Sequence, residues 1–286
     1  MPEMDTATET LSHTHTLSVM QSTDWQRLGT LFQRVFGHPL SPELADYKYS
    51  QGRGASMGLL DSTGGVIAHC GMLYQRLRVA GHTTQGVQFG DLMVDPSYRG
   101  LHSKEGLPFN QVFVGALQYL KSKLGEHLVF GYPSKRATRL GEKLGLVTEI
   151  DTIEEVAWST STSKVFAQLQ KKCGWVQRCT IKYLWWHMSR DFLDSILITR
   201  DSSYVERRYF NHPVFQYQVY VVREHWWMPP IGMFVLRAID SSAELVDWVA
   251  TLKNANAVVE QARRAAGALG YERLTTWQSK GFSNRL

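Results

Sequence analysis

Gly90-Asp91-Leu92-Met93-Val94-Asp95-Pro96-Ser97-Tyr98-Arg99-Gly100 is the stretch on which the reading of this sequence turns. It opens as a strand-like apolar run carrying one acid, Asp91, and is broken by Pro96 and then by Arg99-Gly100. Beyond it lie Leu101, His102, Ser103 and Lys104. From Pro108 to Leu124 apolar residues recur at helical spacing, with Phe109, Val112, Phe113, Ala116, Leu117 and Leu120 on one face. A turn that feeds a helix N-terminus presents several unpaired backbone N–H groups, which bind anions together with the helix dipole. Arg99 and Lys104 add formal charge beside them. Strand, turn, basic side chains and helix in this order make a cradle for phosphate, and no other stretch of the sequence has a comparable one.

Towards the N-terminus, Thr16 to Met20 reads as a first strand. Thr23-Asp24-Trp25-Gln26 has the form of a capping box. Leu28, Leu31, Phe32, Val35 and Phe36 then continue as a helix to about Gly37. A second helix is expected over Pro42 to Tyr49. Strands follow at Ser56 to Leu60 and Val66 to Val79, separated by the turn Asp61-Ser62-Thr63-Gly64-Gly65. A turn at Gly81-His82 leads to the strand Gly86 to Val94. Towards the C-terminus come a strand from Glu126 to Tyr132, a short helix from Ser134 to Lys143 and a strand from Thr148 to Trp158.

Two segments of this layout resemble the GNAT acyltransferase superfamily. Met93 to Gly100 looks like the start of that family's acetyl-CoA pyrophosphate loop. Ala137-Thr138-Arg139-Leu140-Gly141-Glu142-Lys143-Leu144-Gly145-Leu146 looks like its short helix with a "LYEKLGF"-like ending. The resemblance covers roughly residues 16–158, and the remainder more faintly. It implies an α/β fold with a mixed, mainly antiparallel sheet, splayed at its middle and flanked by helices. It also implies transfer of an acetyl or similar acyl group from acetyl-CoA, a co-substrate, to an amine of a small-molecule acceptor, with an amino sugar or polysaccharide precursor as one candidate. In the family the amine attacks the thioester directly. The protein orients both substrates, removes a proton from the ammonium and polarises the carbonyl through a backbone N–H of the splayed strand, here near Met93 or Val94. Arg99, Gly100, Leu101, His102, Ser103, Lys104 and Ser134 stand where the family contacts the cofactor.

The sequence departs from the family at three places. His102 and Lys104 occupy positions that hold glycine in the loop, so either the loop takes a shifted path through Gly100 and Gly106 or cofactor binding is weakened. Gly141 stands where many members have the Tyr that protonates the departing thiolate, and Ser134 stands where an Asn is common. Asp91 is the first choice as general base, directly or through water, against the alternative of a structural pair with a neighbouring cation. Tyr132 is a substitute acid or a packed aromatic, and His102 a base or a phosphate donor. Tyr47 and Tyr49 fall where such folds bind the acceptor, with packing against the sheet as the other reading.

The remaining sequence bounds these expectations. The chain has 286 residues and 31 basic against 26 acidic side chains, a formal charge of +5. The basic residues are spread out, without the stripe or tail of a nucleic-acid binder. Cys70, Cys173 and Cys179 fit no zinc spacing, so reduced thiols and no metal are expected. No secretory leader or bilayer-spanning run is visible, which points to a cytoplasmic protein with no membrane partner.

Beyond the Ser/Thr-rich stretch 159–163 the sequence echoes itself. Asp46-Tyr47-Lys48-Tyr49 matches Glu206-Arg207-Arg208-Tyr209, Gly90-Asp91-Leu92 matches Val246-Asp247-Trp248, and Glu126-His127-Leu128 matches Glu272-Arg273-Leu274. A tail at 1–15, a GNAT-like domain at 16–158 and a degenerate copy at 159–286 are therefore expected. The copy is shorter where the first has its Arg-Gly loop, binds no CoA, and lacks a last helix and strand. The tryptophan pairs Trp185-Trp186 and Trp226-Trp227 are expected to be buried between the copies. Two rivals to an active transferase are a CoA-binding protein without turnover and a scaffold.

Overall fold

The computed structural model describes residues 15–100, 106–125, 127–225 and 227–283. The chain divides into two compact units, Met1–Gln75 with Gln85–Gly131, and Arg76–Thr84 with Tyr132–Leu286. Among the described residues the strands form two six-stranded mixed sheets, each flanked by helices.

The first unit runs β1 (Thr16–Val19), α1 (Trp25–Phe36), α2 (Pro42–Tyr49), β2 (Gly54–Leu60), β3 (Val66–Val79), β4 (His82–Val94), α3 (Pro108–Leu124) and β5 (Leu128–Gly131). Helix α1 buries Trp25, Leu28, Leu31 and Phe32, the face its apolar spacing predicts. It stops at Gly37, whose φ of 77° is a left-handed cap that suits glycine. The capping box lies one turn earlier than the sequence suggests. Gln21 donates its backbone N–H to Asp24 (2.8 Å), because Ser22–Asp24 forms a 3₁₀ turn ahead of α1. Helix α2 opens with Pro42 in its first turn and Ser41 Oγ accepting from Leu44 N at 3.2 Å. Strand β4 begins at His82 rather than Gly86. Ala80 and Gly81 both take positive φ, 47° and 82°, as a tight hairpin turn requires, so the hairpin runs straight into β4. The strand order is β1-β2-β3-β4-β5, with β4 and β5 parallel. A core of Leu28, Leu31, Phe32, Ala45, Tyr49, Val66 and Met93 sits under α1 and α2.

The second unit continues with α4 (Lys135–Lys143), β6 (Ile153–Ser159), β7 (Ala167–Gln170), α5 (Trp175–Met188), β8 (Ile196–Ile198) and α6 (Ser202–Val205), which passes into a π-helical turn at Glu206–Phe210. Then come β9 (Gln218–Val222), β10 (Gly232–Ile239), β11 (Ser242–Ala250), α7 (Leu252–Ala268), β12 (Arg273–Ser279) and α8 (Lys280–Ser283). β8 pairs with the far end of β3, Leu77↔Ile198 to Val79↔Ile196. The other sheet has the order β6-β12-β11-β10-β9-β7 and is covered on both faces at its central strands. Alternate residues of β10 divide between the two sides: Met233 and Val235 pack with Ile181, Leu184 and Met188 of α5, and Phe234 and Leu236 with Val258, Ala262 and Ala265 of α7.

Two expectations need correcting. The strand foreseen as the last of the first copy, Thr148 to Trp158, forms as β6 and pairs with β12 from Arg273↔Ser159 to Ser279↔Ile153. The division between sheets therefore falls ahead of β6 and not at 159–163. β6 fills the place beside β12 where the second copy was expected to lack a strand, since an open strand edge accepts any chain that matches its register. The tryptophan pairs do not behave as buried pairs either. Trp185 is buried and Trp186 is exposed; Trp227 is exposed, and Trp226 lies outside the described residues.

Candidate active site

The site begins where two parallel strands stop pairing. β4 and β5 are in register from Gly86↔Leu128 to Phe89↔Gly131, where β5 ends, while β4 continues to Val94. Residues 90–94 thus run on with no β5 partner, and Asp91 lies two residues past the last pair. Asp91 itself takes φ 47°. That left-handed conformation is uncommon outside glycine, though Asp tolerates it better than most residues, and here it bends the strand at the point where the two part.

Four side chains hold that bend. Lys48 Nζ donates to Asp91 Oδ2 at 2.7 Å, and the Tyr49 hydroxyl donates to the same oxygen. Asp91 Oδ1 has no partner among the described residues. His69, fully buried on β3, bonds through Nδ1 to the Asp91 carbonyl at 2.8 Å and through Nε2 to Ser56 Oγ at 2.7 Å. A carbonyl can only accept, so Nδ1 carries the proton and Nε2 accepts from the serine hydroxyl. Burial pushes the His69 pKa down to about 4, outweighing the hydrogen bond to Asp91, so the ring is neutral. Burial alone would raise the Asp91 pKa, but Lys48 and the Tyr49 hydroxyl outweigh it and leave the carboxyl below its ordinary value. Burial and the adjacent Asp91 charge push the Tyr49 phenol well up, so it remains a donor. Gly71 makes room for it: a Cβ there would meet the Tyr49 ring and lie 2.9 Å from the Gly90 carbonyl.

Tyr49 is therefore not on an open acceptor face; it is buried and bound to Asp91. Tyr47 is half-buried, with the Arg53 guanidinium 5.1 Å from its ring centroid. The Met93 side chain belongs to the core, and the Val94 carbonyl accepts from Arg99 Nε at 3.1 Å. Arg99 is exposed, and its two terminal nitrogens have no partner among the described residues. Gly100 and Gly106, on either side of residues 101–105, have φ of 81° and 99°. Leu101, His102, Ser103 and Lys104 lie outside the described residues. Helix α3 follows, with Leu107 at its N-cap offering no side-chain acceptor to the first-turn N–H groups. Among the described residues, a 17-residue helix with no side-chain cap at its N-terminus thus follows Arg99 and two positive-φ glycines, a setting in which helix N-termini bind phosphate.

Tyr132 and Ser134 belong to the second unit. Tyr132 is 60% exposed; partial burial raises its pKa and Arg200 opposes the rise. Ser134 caps α4, accepting from Ala137 N at 3.4 Å. A Cβ at Gly141 would lie 2.6 Å from Val147 Cγ2, so that position is filled by packing. Among the described residues, no group of three or more His, Cys, Asp and Glu could hold a metal, and no helix is long and apolar enough to cross a membrane.

The second unit repeats the acid–tyrosine pair with different details. Tyr209 donates to Asp247 Oδ2 at 2.7 Å, while Arg200 Nε (2.6 Å) and Trp248 N (2.9 Å) occupy Oδ1. Both carboxylate oxygens are committed here, whereas Asp91 keeps one uncommitted. β11 and β12 pair in parallel only at Ala243↔Leu274 and Glu244↔Thr275, again stopping short of the Asp. Only Thr251 separates β11 from α7, against residues 95–107 between β4 and α3. The α7 N-terminus already holds a carboxylate, with Leu252 N donating to Asp191 Oδ2 at 2.8 Å.

Lys48 and Tyr49 stood out in the sequence, but their connection to Asp91 did not. His69, Ser56 and Gly71 were missed; the one available signal was a histidine inside the otherwise apolar run Val66-Ile67-Ala68-His69-Cys70.

No curated protein matches the sequence. Among solved structures, the chain is similar to a probable N-acyltransferase from Enterococcus faecalis V583 (TM-score 0.65, 14% identity, covering 93% of this chain and 66% of that one). It is also similar to a GCN5-related N-acetyltransferase from Kribbella flavida (TM-score 0.62, 13% identity, 94% and 65%). A third is Saccharomyces cerevisiae N-myristoyltransferase with bound myristoyl-CoA (TM-score 0.64, 10% identity, 97% and 78%). The chain spans just under two thirds of the length of the first two. These likenesses establish the fold, and the family model described as "Acetyltransferase (GNAT) domain" matches residues 16–145. Residues 16–145 of this chain are thus a GNAT acetyltransferase domain.

Proposed function

We propose that the GNAT-like domain at residues 16–158 transfers an acetyl or similar acyl group from acyl-CoA to an amine of a small-molecule acceptor, with an amino sugar or polysaccharide precursor as a candidate. Residues 159–286 are, in this reading, a degenerate copy that binds no CoA. The observation that carries the proposal is Asp91: a part-buried carboxylate on a bent strand, at the point where β4 and β5 part, with Oδ2 held by Lys48 and Tyr49 and Oδ1 uncommitted. Oδ1 accepts the ammonium proton, directly or through water. The freed amine attacks the thioester carbonyl, which the backbone N–H of Met93 or Val94 polarises; as the C–S bond breaks, the nitrogen of the new C–N bond releases its second proton to water, leaving the neutral amide. The thiolate takes its proton from an acid, for which Tyr132 is the candidate because Gly141 has no side chain. Arg99, Gly100 and the segment 101–104, with His102 and Lys104, receive the pyrophosphate.

Calorimetric titration with acetyl-CoA tests the cofactor half. Arg99→Ala should weaken binding by about five- to a hundredfold, the scale of a charge-assisted hydrogen bond. An unchanged dissociation constant removes Arg99 from the cradle. A second reading, a CoA-binding protein without turnover, draws on His102 and Lys104 at glycine positions of the loop. Micromolar binding with no acylation of any amine or amino sugar would favour it.

A further inference from the structure

Helix α5 is amphipathic in an unusual way, because its solvent side is not polar in the ordinary sense. Its inner face, Thr180, Ile181, Leu184, Trp185 and Met188, is buried. At 100° per residue, the opposite face carries Trp175, Val176, Cys179, Lys182, Tyr183 and Trp186, all exposed. Trp175 is 79%, Trp186 49% and Tyr183 41% exposed. Single exposed aromatics are common on any protein; three on one stripe of one helix are a patch. The charge carried by the helix and its flanks is positive. Lys171 to Arg190 contains five cations (Lys171, Lys172, Arg178, Lys182 and Arg190) and no acid. Arg178 is paired with Glu206 at 2.8 Å, while the other four have no carboxylate partner among the described residues. The Arg190 guanidinium lies 3.6 Å from the centroid of the Trp186 ring, so cation and aromatic form one surface.

The geometry points to α5 as a docking surface for an anionic lipid membrane. Trp and Tyr prefer the zone between headgroup and acyl chain, where the ring is partly dehydrated and its N–H or O–H stays wet. Lys and Arg beside them meet the lipid phosphates, and the combination on one helix face is that of an interfacial helix. Two other occupants fit less well. A symmetric contact with a second copy through this face would bring two net-positive surfaces together, with no acid between Lys171 and Arg190 to compensate. Single-stranded nucleic acid stacks successive bases on closely spaced rings, whereas Tyr183 and Trp186 lie about 12 and 17 Å along the axis from Trp175 at 1.5 Å per residue, on a convex surface. The expectation of no membrane partner rested on the lack of a spanning segment, which says nothing about a helix lying in the interface.

The test uses the full chain with vesicles of phosphatidylcholine, alone or mixed with phosphatidylglycerol. Co-sedimentation is measured at low and high salt, together with tryptophan emission. The chain should sediment with the mixed vesicles and not the neutral ones, its emission should shift to the blue, and salt should release it. Trp175→Ser with Trp186→Ser, and separately Lys182→Glu with Arg190→Glu, should each weaken binding at least about tenfold. Trp277→Ser, an exposed tryptophan on β12, should leave it unchanged. Equal thermal midpoints exclude unfolding as the cause, and Lys182→Gln provides a milder charge variant if either double variant melts early. Failure to bind the mixed vesicles, equal binding to neutral ones, binding unaffected by the α5 variants, or retention of an oligonucleotide without vesicle binding would each overturn the assignment.

Discussion

At the scale of single residues, Asp91 is defined by what its two oxygens do. Oδ2 is held by Lys48 and Tyr49, and Oδ1 is open. Asp91→Asn keeps the shape, loses the base and weakens the pair with Lys48. Turnover should fall about a hundredfold or more while acetyl-CoA affinity stays within about twofold; full activity would remove Asp91 as the base. His69 acts one step back, through the Asp91 carbonyl. Its pKa falls on folding from 6.5 to about 4, so between those values the unfolded chain binds a proton that the folded chain does not. The stabilisation is complete above pH 6.5 and is lost as pH falls towards 4, on the order of 3 kcal/mol in all. Melting curves of native and His69→Gln protein across that window should show the acid-side slope reduced in the variant. Equal slopes would mean that another group sets it.

At the scale of elements, the two units contrast most clearly at the helix that follows the Asp-bearing strand. Helix α3 comes after residues 95–107, with turning glycines and an exposed Arg99, and its N-cap side chain is a leucine. Helix α7 follows a single residue and has Asp191 bonded to Leu252 N. Among the described residues the α3 N-terminus has no side-chain cap, whereas that of α7 holds a carboxylate. Asp191→Asn should lower the stability of the second unit by about 0.5–1 kcal/mol, read as a drop in its thermal midpoint, and should leave acetyl-CoA binding unchanged. A loss of CoA affinity in that variant would contradict the assignment of the cofactor to the first unit.

At the scale of the molecule, the chain is not divided where its composition changes. β6 comes before the Ser/Thr-rich stretch at 159–163, yet its pairing with β12 makes it part of the second sheet. A fragment 159–286 leaves β12 with an unpaired edge. A fragment 132–286 keeps β6 and omits only the hairpin tip 76–84 of that unit. The longer fragment should unfold cooperatively in denaturant, and the shorter should show a broadened, low-midpoint transition or aggregate. Equal cooperativity in the two would show that β6 is dispensable.

Local regularities were legible in the sequence alone. Period-3.6 apolar spacing located α1 and α3, because burial of one face leaves its period in the order of residues, and the turn Asp61-Ser62-Thr63-Gly64-Gly65 set off β3. The Arg-Gly turn ahead of α3 and the echo of Tyr49 and Asp91 in Tyr209 and Asp247 were also visible, since both depend on residue type at a fixed distance along the chain. What the sequence could not show was which strand edge β6 would join, and that Lys48, Tyr49 and His69 converge on one aspartate across two strands and a helix. Hydrogen bonds of this kind join residues more than twenty positions apart and leave no period. The strain at Asp91 was hidden for the same reason: φ is set by the groups that hold the strand bent, and these meet only once the sheet has formed.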